Sequence, residues 1–200
     1  MSPAYAELQC RSCFSFLEVA SHPEELVRRA HDLGYAALAI TDRGSLAGVV
    51  RAHEAAKGLD LHLIVGAELR VESGPRLVAL AQDRNGYGNL SQLISRARRL
   101  APKGDYRLLG TDLDPGLPGC LILWLPDEGS DDPETLAQGA WLKERLGGRR
   151  LHIGVTLHRR GGDRGRLNRI TAVACDRALG MVAVGNVAMH AGGRRPLLDT

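Results

Sequence analysis

The sequence predicts an α/β fold of repeated strand–helix units, and three observations carry that prediction. Ala36–Ile40 and Leu61–Glu68 are short apolar runs, each too short for a helix, and Ser45–Gly58 between them has near-helical apolar spacing at Leu46, Val49, Val50 and Ala56. That is a β-α-β unit, whose crossover is expected to be right-handed. Seven such apolar runs alternate with helical stretches along the chain, which predicts parallel pairing in an open sheet or a barrel. Polar side chains recur at strand ends: Gln9 and Arg11, Asp42 and Arg43, Glu68, His158, Asn186. Many strand ends converging on one site favour a barrel.

In order, Tyr5–Cys10 reads as the first strand. His22–Leu33 reads as a helix, with Ser21 as its cap, Pro23 in its first turn and Leu26, Val27, Ala30 and Leu33 as its apolar stripe. Ala36–Ile40 ends in the turn Thr41-Asp42-Arg43-Gly44, after which Ser45 is the expected N-cap of the next helix. Arg76–Gln82 is the fourth strand, and a helix from about Tyr87 to Leu100 turns Leu90, Leu93, Ile94 and Ala97 inward. Ala101–Gly119 holds three prolines and four glycines and reads as loop. Cys120–Leu125 is the fifth strand, residues 126–133 an acidic linker, and Glu134–Leu146 a helix. Leu151–Leu157, Gly165–Leu179 and Met181–Val184 follow as strand, helix and strand, and Arg194–Thr200 as the opening of a helix.

Two hundred residues, 44% of them hydrophobic, suffice for one packed domain spanning 1–200. No apolar run has the length of a membrane span and the start lacks a signal-peptide pattern, so a soluble, cytoplasmic chain is expected. Cys10, Cys13, Cys120 and Cys175 are too scattered for a disulfide framework, and Cys10-x-x-Cys13 lacks the second pair that a zinc site needs. Net charge is only +3, but Arg145–Arg169 carries eight arginines against one acid, Asp163. Arg149, Arg150, Arg159, Arg160, Arg164, Arg166 and Arg169 are therefore a candidate nucleic-acid or acidic-partner surface. Without interleaved aromatics, a solvated arginine-rich loop accounts for them equally well.

Several segments together resemble one family. They are residues 5–17 (YAELQCRSCFSFL), 21–26 (SHPEEL), 39–53 (AITDRGSLAGVVRAH), 85–94 (NGYGNLSQLI) and 98–104 (RRLAPKG). They are similar to the N-terminal polymerase-and-histidinol-phosphatase (PHP) domain of bacterial C-family DNA polymerases, in the error-prone, damage-inducible branch. The resemblance implies a distorted seven-stranded (β/α) barrel of PHP type, forming the N-terminal piece of a longer polymerase. In active relatives it implies two or three zinc or manganese ions that hydrolyse phosphoesters. Imidazoles and carboxylates hold such ions, and the ions make hydroxide and clamp phosphate.

Carried over position by position, that metal motif is degenerate here. The His-x-His positions read Gln9 and Arg11, and the following acid is Glu18. The histidine after Asp42 is Arg43, and the glutamate survives as Glu68. The histidine opening the fourth strand is Arg76, and the final Asp-x-His reads Asn186 and Ala188. Arginine stays protonated and has no lone pair to give a metal. No metal cofactor and no catalytic residue are therefore expected. His158 and His190 lack a third ligand, and Asp112-x-Asp114 sits in a loop where a cap or Asx-turn explains it. Arg11, Arg43 and Arg76 against Glu18, Asp42 and Glu68 are instead expected to form an ion-pair cluster. The implied partners are the rest of the polymerase, DNA through it, and mutagenesis accessory proteins, with no membrane. A residual phosphoesterase or proofreading exonuclease, and a basic DNA- or partner-binding module, are the alternatives.

Overall fold

Seven strands and five α-helices, alternating except where β4 directly follows β3, make up a computed structural model that describes residues 4–127, 132–159, 161–197 and 199. The strands are β1 (Ala6–Cys10), β2 (Ala37–Ile40), β3 (His62–Arg70), β4 (Arg76–Ala81), β5 (Cys120–Leu125), β6 (Leu151–Val155) and β7 (Gly180–Ala183). The helices are α1 (Pro23–Asp32), α2 (Val49–Ala56), α3 (Arg84–Arg99), α4 (Asp132–Leu146) and α5 (Asp163–Arg177). Short 3₁₀ turns occupy Gly110–Leu113 and Gly192–Leu197. Strand order follows chain order. The chain condenses into two compact units, Met1–Glu68 with Gly185–Thr200, and Leu69–Val184.

In the first unit, β1, β2 and β3 pair in parallel. β1 alternates as a strand must. Cys10 joins Leu26, Val27, Ala30, Leu38, Ile40 and Ala52 in the core under α1 and α2, whereas Glu7 and Gln9 are buried on its other face. Helix α1 begins one residue later than expected. Its N-cap is His22, whose backbone N–H donates to Glu25 at 2.9 Å, and Ser21 is engaged elsewhere. Helix α2 likewise begins at Val49 and not at Ser45. Gly44 takes a left-handed φ of 52° and the Ser45 hydroxyl accepts from the Ala47 N–H at 3.1 Å, so residues 44–48 form a turn. Gly48 is required there, because a Cβ would collide with the Asp42 carboxylate.

The second unit departs from all-parallel pairing. β4 runs antiparallel to β5, from Arg76 opposite Leu125 to Ala81 opposite Cys120. The link between β3 and β4, residues 71–75, is closed by Val71 N–H to Pro75 O at 3.1 Å. A parallel crossover needs roughly a dozen residues, so the chain can only reverse there. β5, β6 and β7 then pair in parallel through α4 and α5. Leu77, Ile122, Trp124, Leu142, Leu146, Leu151 and Ile153 are fully buried.

Helix α3 starts three residues earlier than its apolar period suggests. The Asp83 side chain caps it by accepting the Gly86 N–H at 2.7 Å. Gly86 packs directly on the Gly119 backbone, while Gly88, one residue pair on, faces open space. The two glycines should therefore respond oppositely to the same change. Gly86→Ala should destabilise by roughly 2–3 kcal/mol, since backbone must move to admit the methyl. Gly88→Ala should stabilise by up to about 1 kcal/mol from helix propensity alone. Denaturant melts of both variants measure the contrast.

Candidate functional site

The loop after β1 is held by a carboxylate from the end of β2. Asp42 Oδ1 accepts the Ser12 N–H at 2.7 Å and the Ser15 hydroxyl at 2.9 Å, and Oδ2 accepts the Ser12 hydroxyl at 2.8 Å. Asp42 is fully buried, and burial pushes its carboxyl above the usual range against the opposing pull of those donors and of Arg11. The Ser15 hydroxyl also accepts the Arg43 N–H at 3.0 Å. This anchoring places Glu18, three residues on, against the strand ends.

Glu18 bridges two guanidiniums. Arg11 reaches Glu18 Oε2 at 3.1 Å, and Arg43 pairs with Glu18 Oε1. On its other side Arg11 donates to Asn186 Oδ1 at 3.1 Å and stands 4.0 Å from Glu68. Gln9 donates through one amide nitrogen to Glu68 at 3.0 Å and to Asn186 at 3.2 Å. Asn186 holds this position with a left-handed φ of 50°. Two arginines and two glutamates leave the network without net charge. Arg11 and Glu68 are nearly buried and Arg43 is half exposed, so the network is sheltered at one end and wet at the other.

Ala188 provides only backbone, its carbonyl accepting the Ala20 N–H at 3.3 Å. Arg76 opens β4 in the second unit and stands 3.9 Å from Asp127, which also binds Arg70 at 2.7 Å. Arg70 hydrogen-bonding holds the Asp127 carboxyl below the usual range. Sequence reasoning missed Asp127 because the reversal of β4 alone brings Arg76 beside the end of β5. It also missed Glu7, a buried acid that accepts the N–H groups of Gln9 at 2.8 Å and Gly185 at 3.0 Å and so ties residue 185 to β1. The signal was present: Glu7, Gln9 and Arg11 share the period of one strand face.

Cys10 lies in the core and Cys13 contacts His22 at 3.1 Å, so the pair does not share a site. His190 contacts Ser21 at 2.8 Å, and His158 is exposed. Asp112 caps its own turn by accepting the Leu109 N–H at 2.8 Å, and Asp114 pairs with Arg145 at 3.0 Å. Among the described residues, no three His, Cys, Asp or Glu side chains are placed to hold a metal ion.

The arginine-rich stretch is divided. Arg150 is a clamp, donating to the carbonyls of Gly116, Leu117, Cys120 and Leu146 at 2.6–3.2 Å. Arg166 donates to the carbonyls of Thr156 and Pro126 at 3.2 and 3.4 Å. These two therefore leave the candidate nucleic-acid surface, while Arg149, Arg159, Arg164 and Arg169 are exposed. Arg160 lies outside the described residues. Arg149 precedes β6 and Arg159 follows it, while Arg164 and Arg169 lie on α5.

Polar side chains gathered at the ends of strands joined by helices define a module of the α/β barrel-type class. A model of the PHP domain matches residues 7–113, so the chain belongs to the PHP domain family. It is 53% identical to an error-prone DNA polymerase of Alkalilimnicola ehrlichii and 53% to one of Pseudomonas aeruginosa, each over 98% of this chain. The chain spans only 19% and 18% of those two relatives. Among solved structures, an amidohydrolase from Chromobacterium violaceum matches 96% of this chain and 89% of its own, with TM-score 0.73 at 14% identity. A putative metal-dependent phosphoesterase from Bifidobacterium adolescentis matches 96% and 90%, with TM-score 0.64 at 17% identity. These likenesses show the α/β barrel-type fold.

Two stability predictions follow from the geometry. Asp42 titrates above the ordinary carboxylate value when folded, so the folded chain holds its proton more tightly than the unfolded chain. The Asp42 contribution is thus most favourable below the unfolded value and is lost as pH rises through the folded one. Asp42→Asn leaves one oxygen to accept the Ser12 N–H and the Ser15 hydroxyl, turns the Ser12 hydroxyl into an acceptor, and removes this dependence. The stability of wild type relative to Asp42→Asn should rise on acidification across that window, as read by melts at a series of pH values. Glu68→Gln should cost about 2–4 kcal/mol by leaving Arg11 short of a buried counter-charge. Adding Arg11→Gln should recover part of that loss, and double-mutant cycles with Arg43→Gln and Arg76→Gln rank the partners.

Proposed function

We propose that this chain is a catalytically silent PHP module that scaffolds an error-prone C-family DNA polymerase whose nucleotidyltransferase site lies in other parts of that polymerase. The carrying observation is the Arg11–Glu18–Arg43 ion-pair chain joined to Gln9, Glu68 and Asn186. These residues stand where active relatives are expected to place metal ligands. The donor set does not fit a divalent cation. Guanidiniums cannot ligate and would repel the ion, and the two glutamates are already neutralised.

Sequence identity near one half to error-prone DNA polymerases supports the parent assignment. On this reading the module serves damage-induced, translesion synthesis in the cytoplasm, docked on the rest of the polymerase and, through it, on DNA and mutagenesis accessory proteins. A residual phosphoesterase or exonuclease needs three ligands, and none of the described clusters supplies them. A DNA-binding role for the 145–169 stretch is weakened by Arg150 and Arg166, whose guanidiniums are spent on backbone carbonyls.

The purified protein should hold well under one zinc, manganese or iron per chain after dialysis, by elemental analysis. It should hydrolyse neither a nitrophenyl phosphate nor a mismatched 3′ end with manganese added. One metal per chain, or turnover abolished by Glu68→Ala, would overturn the reading.

A further inference from the structure

Phe16 and Leu17, 82% and 88% exposed, are large apolar side chains held in solvent by a loop that is otherwise bonded at nearly every residue. Ser12 and Ser15 are fixed to buried Asp42, the Cys13 N–H donates to the Ser21 carbonyl at 2.8 Å, and Glu18 is clamped between Arg11 and Arg43. Leu17 adopts a left-handed φ of 63°, a conformation that an L side chain takes only against a steric penalty. Phe14, beside them in sequence, lies under the Arg51 guanidinium at 6.0 Å. The loop spends ion pairs, hydrogen bonds and backbone strain on keeping Phe16 and Leu17 out.

We infer that Phe16 and Leu17 are a preorganised anchor that inserts into an apolar pocket of the polypeptide following residue 200. The inference rests on the proposed function, in which this chain is part of a longer polymerase. Its relatives match it over 98% of its length, as the N-terminal 18–19% of their own. The size of the contact selects a tethered occupant. Two side chains bury a few hundred Å², far below the roughly 1,200–2,000 Å² of a stable contact between free proteins. A covalently linked segment is present at an effective concentration near the millimolar range, so a small rigid contact suffices. Preorganisation removes the ordering cost that a mobile loop would pay on docking.

The test places a photo-reactive benzoylphenylalanine at position 16 of the full polypeptide encoded by the gene. Exposure of the side chain lets the fold accept the larger ring. Irradiation and peptide mass spectrometry should give an intramolecular cross-link to a residue beyond 200, with a yield independent of protein concentration. Replacing Leu17→Ser in the same protein should lower that yield several-fold. Cross-links confined to residues 1–200, a concentration-dependent link between two copies, a link only to another protein, or no link would overturn the inference and leave the proposed function standing. A gene product that ends at residue 200 would overturn both.

Discussion

The buried carboxylate of Asp42 is the constraint on which the first unit depends. It gathers one backbone N–H and two serine hydroxyls from the loop after β1. Burying a carboxylate is costly unless its lone pairs are filled, and here three short donors fill them. Because those donors come from residues 12 and 15, the loop has one conformation, and Glu18 is delivered to Arg11 and Arg43. Gly48 completes the arrangement, since only a missing Cβ lets the chain pass so close to Asp42. A single strand-end acid thus sets a turn, a loop and an ion-pair chain.

The ion-pair chain solves an electrostatic problem that a metal cluster solves differently. Carboxylates at the ends of buried strands need positive charge, and a divalent cation supplies it at a point. Arg11 and Arg43 supply it through planar forks, which also satisfy amide and carboxylate oxygens by directed hydrogen bonds. Gln9 and Asn186 join the network through their amides, Gln9 donating to Glu68 and Asn186, and the Asn186 oxygen also accepting from Arg11.

In the second unit, arginine is used as a structural clamp. Arg150 closes two carbonyls of a loop rich in glycine and proline, one at the start of β5 and one at the end of α4, and Arg166 closes two more after β5 and β6. Loops must satisfy their backbone carbonyls somewhere. A long side chain with five donors does this for a segment with little secondary structure of its own. Charge density along a sequence therefore overstates the charge available to a partner.

The sequence by itself determined the strand count, the order of strands and helices, and the charged and amide side chains at strand ends, Gln9, Arg11, Arg43 and Asn186. Those properties are local: apolar period, turn residues and the ionisation chemistry of single side chains. The sequence also contained the polar face of β1, although Glu7 was legible only once that strand's period was followed through the acid. Tertiary structure decided the rest. Antiparallel pairing of β4 with β5 put Arg76 beside Asp127, residues 51 positions apart. Which arginines are clamps and which are exposed depended on where open carbonyls fell in space. The outward hold on Phe16 and Leu17 depended on Asp42, some 25 residues away in sequence, because hydrogen bonds between distant segments leave no periodic trace in the chain.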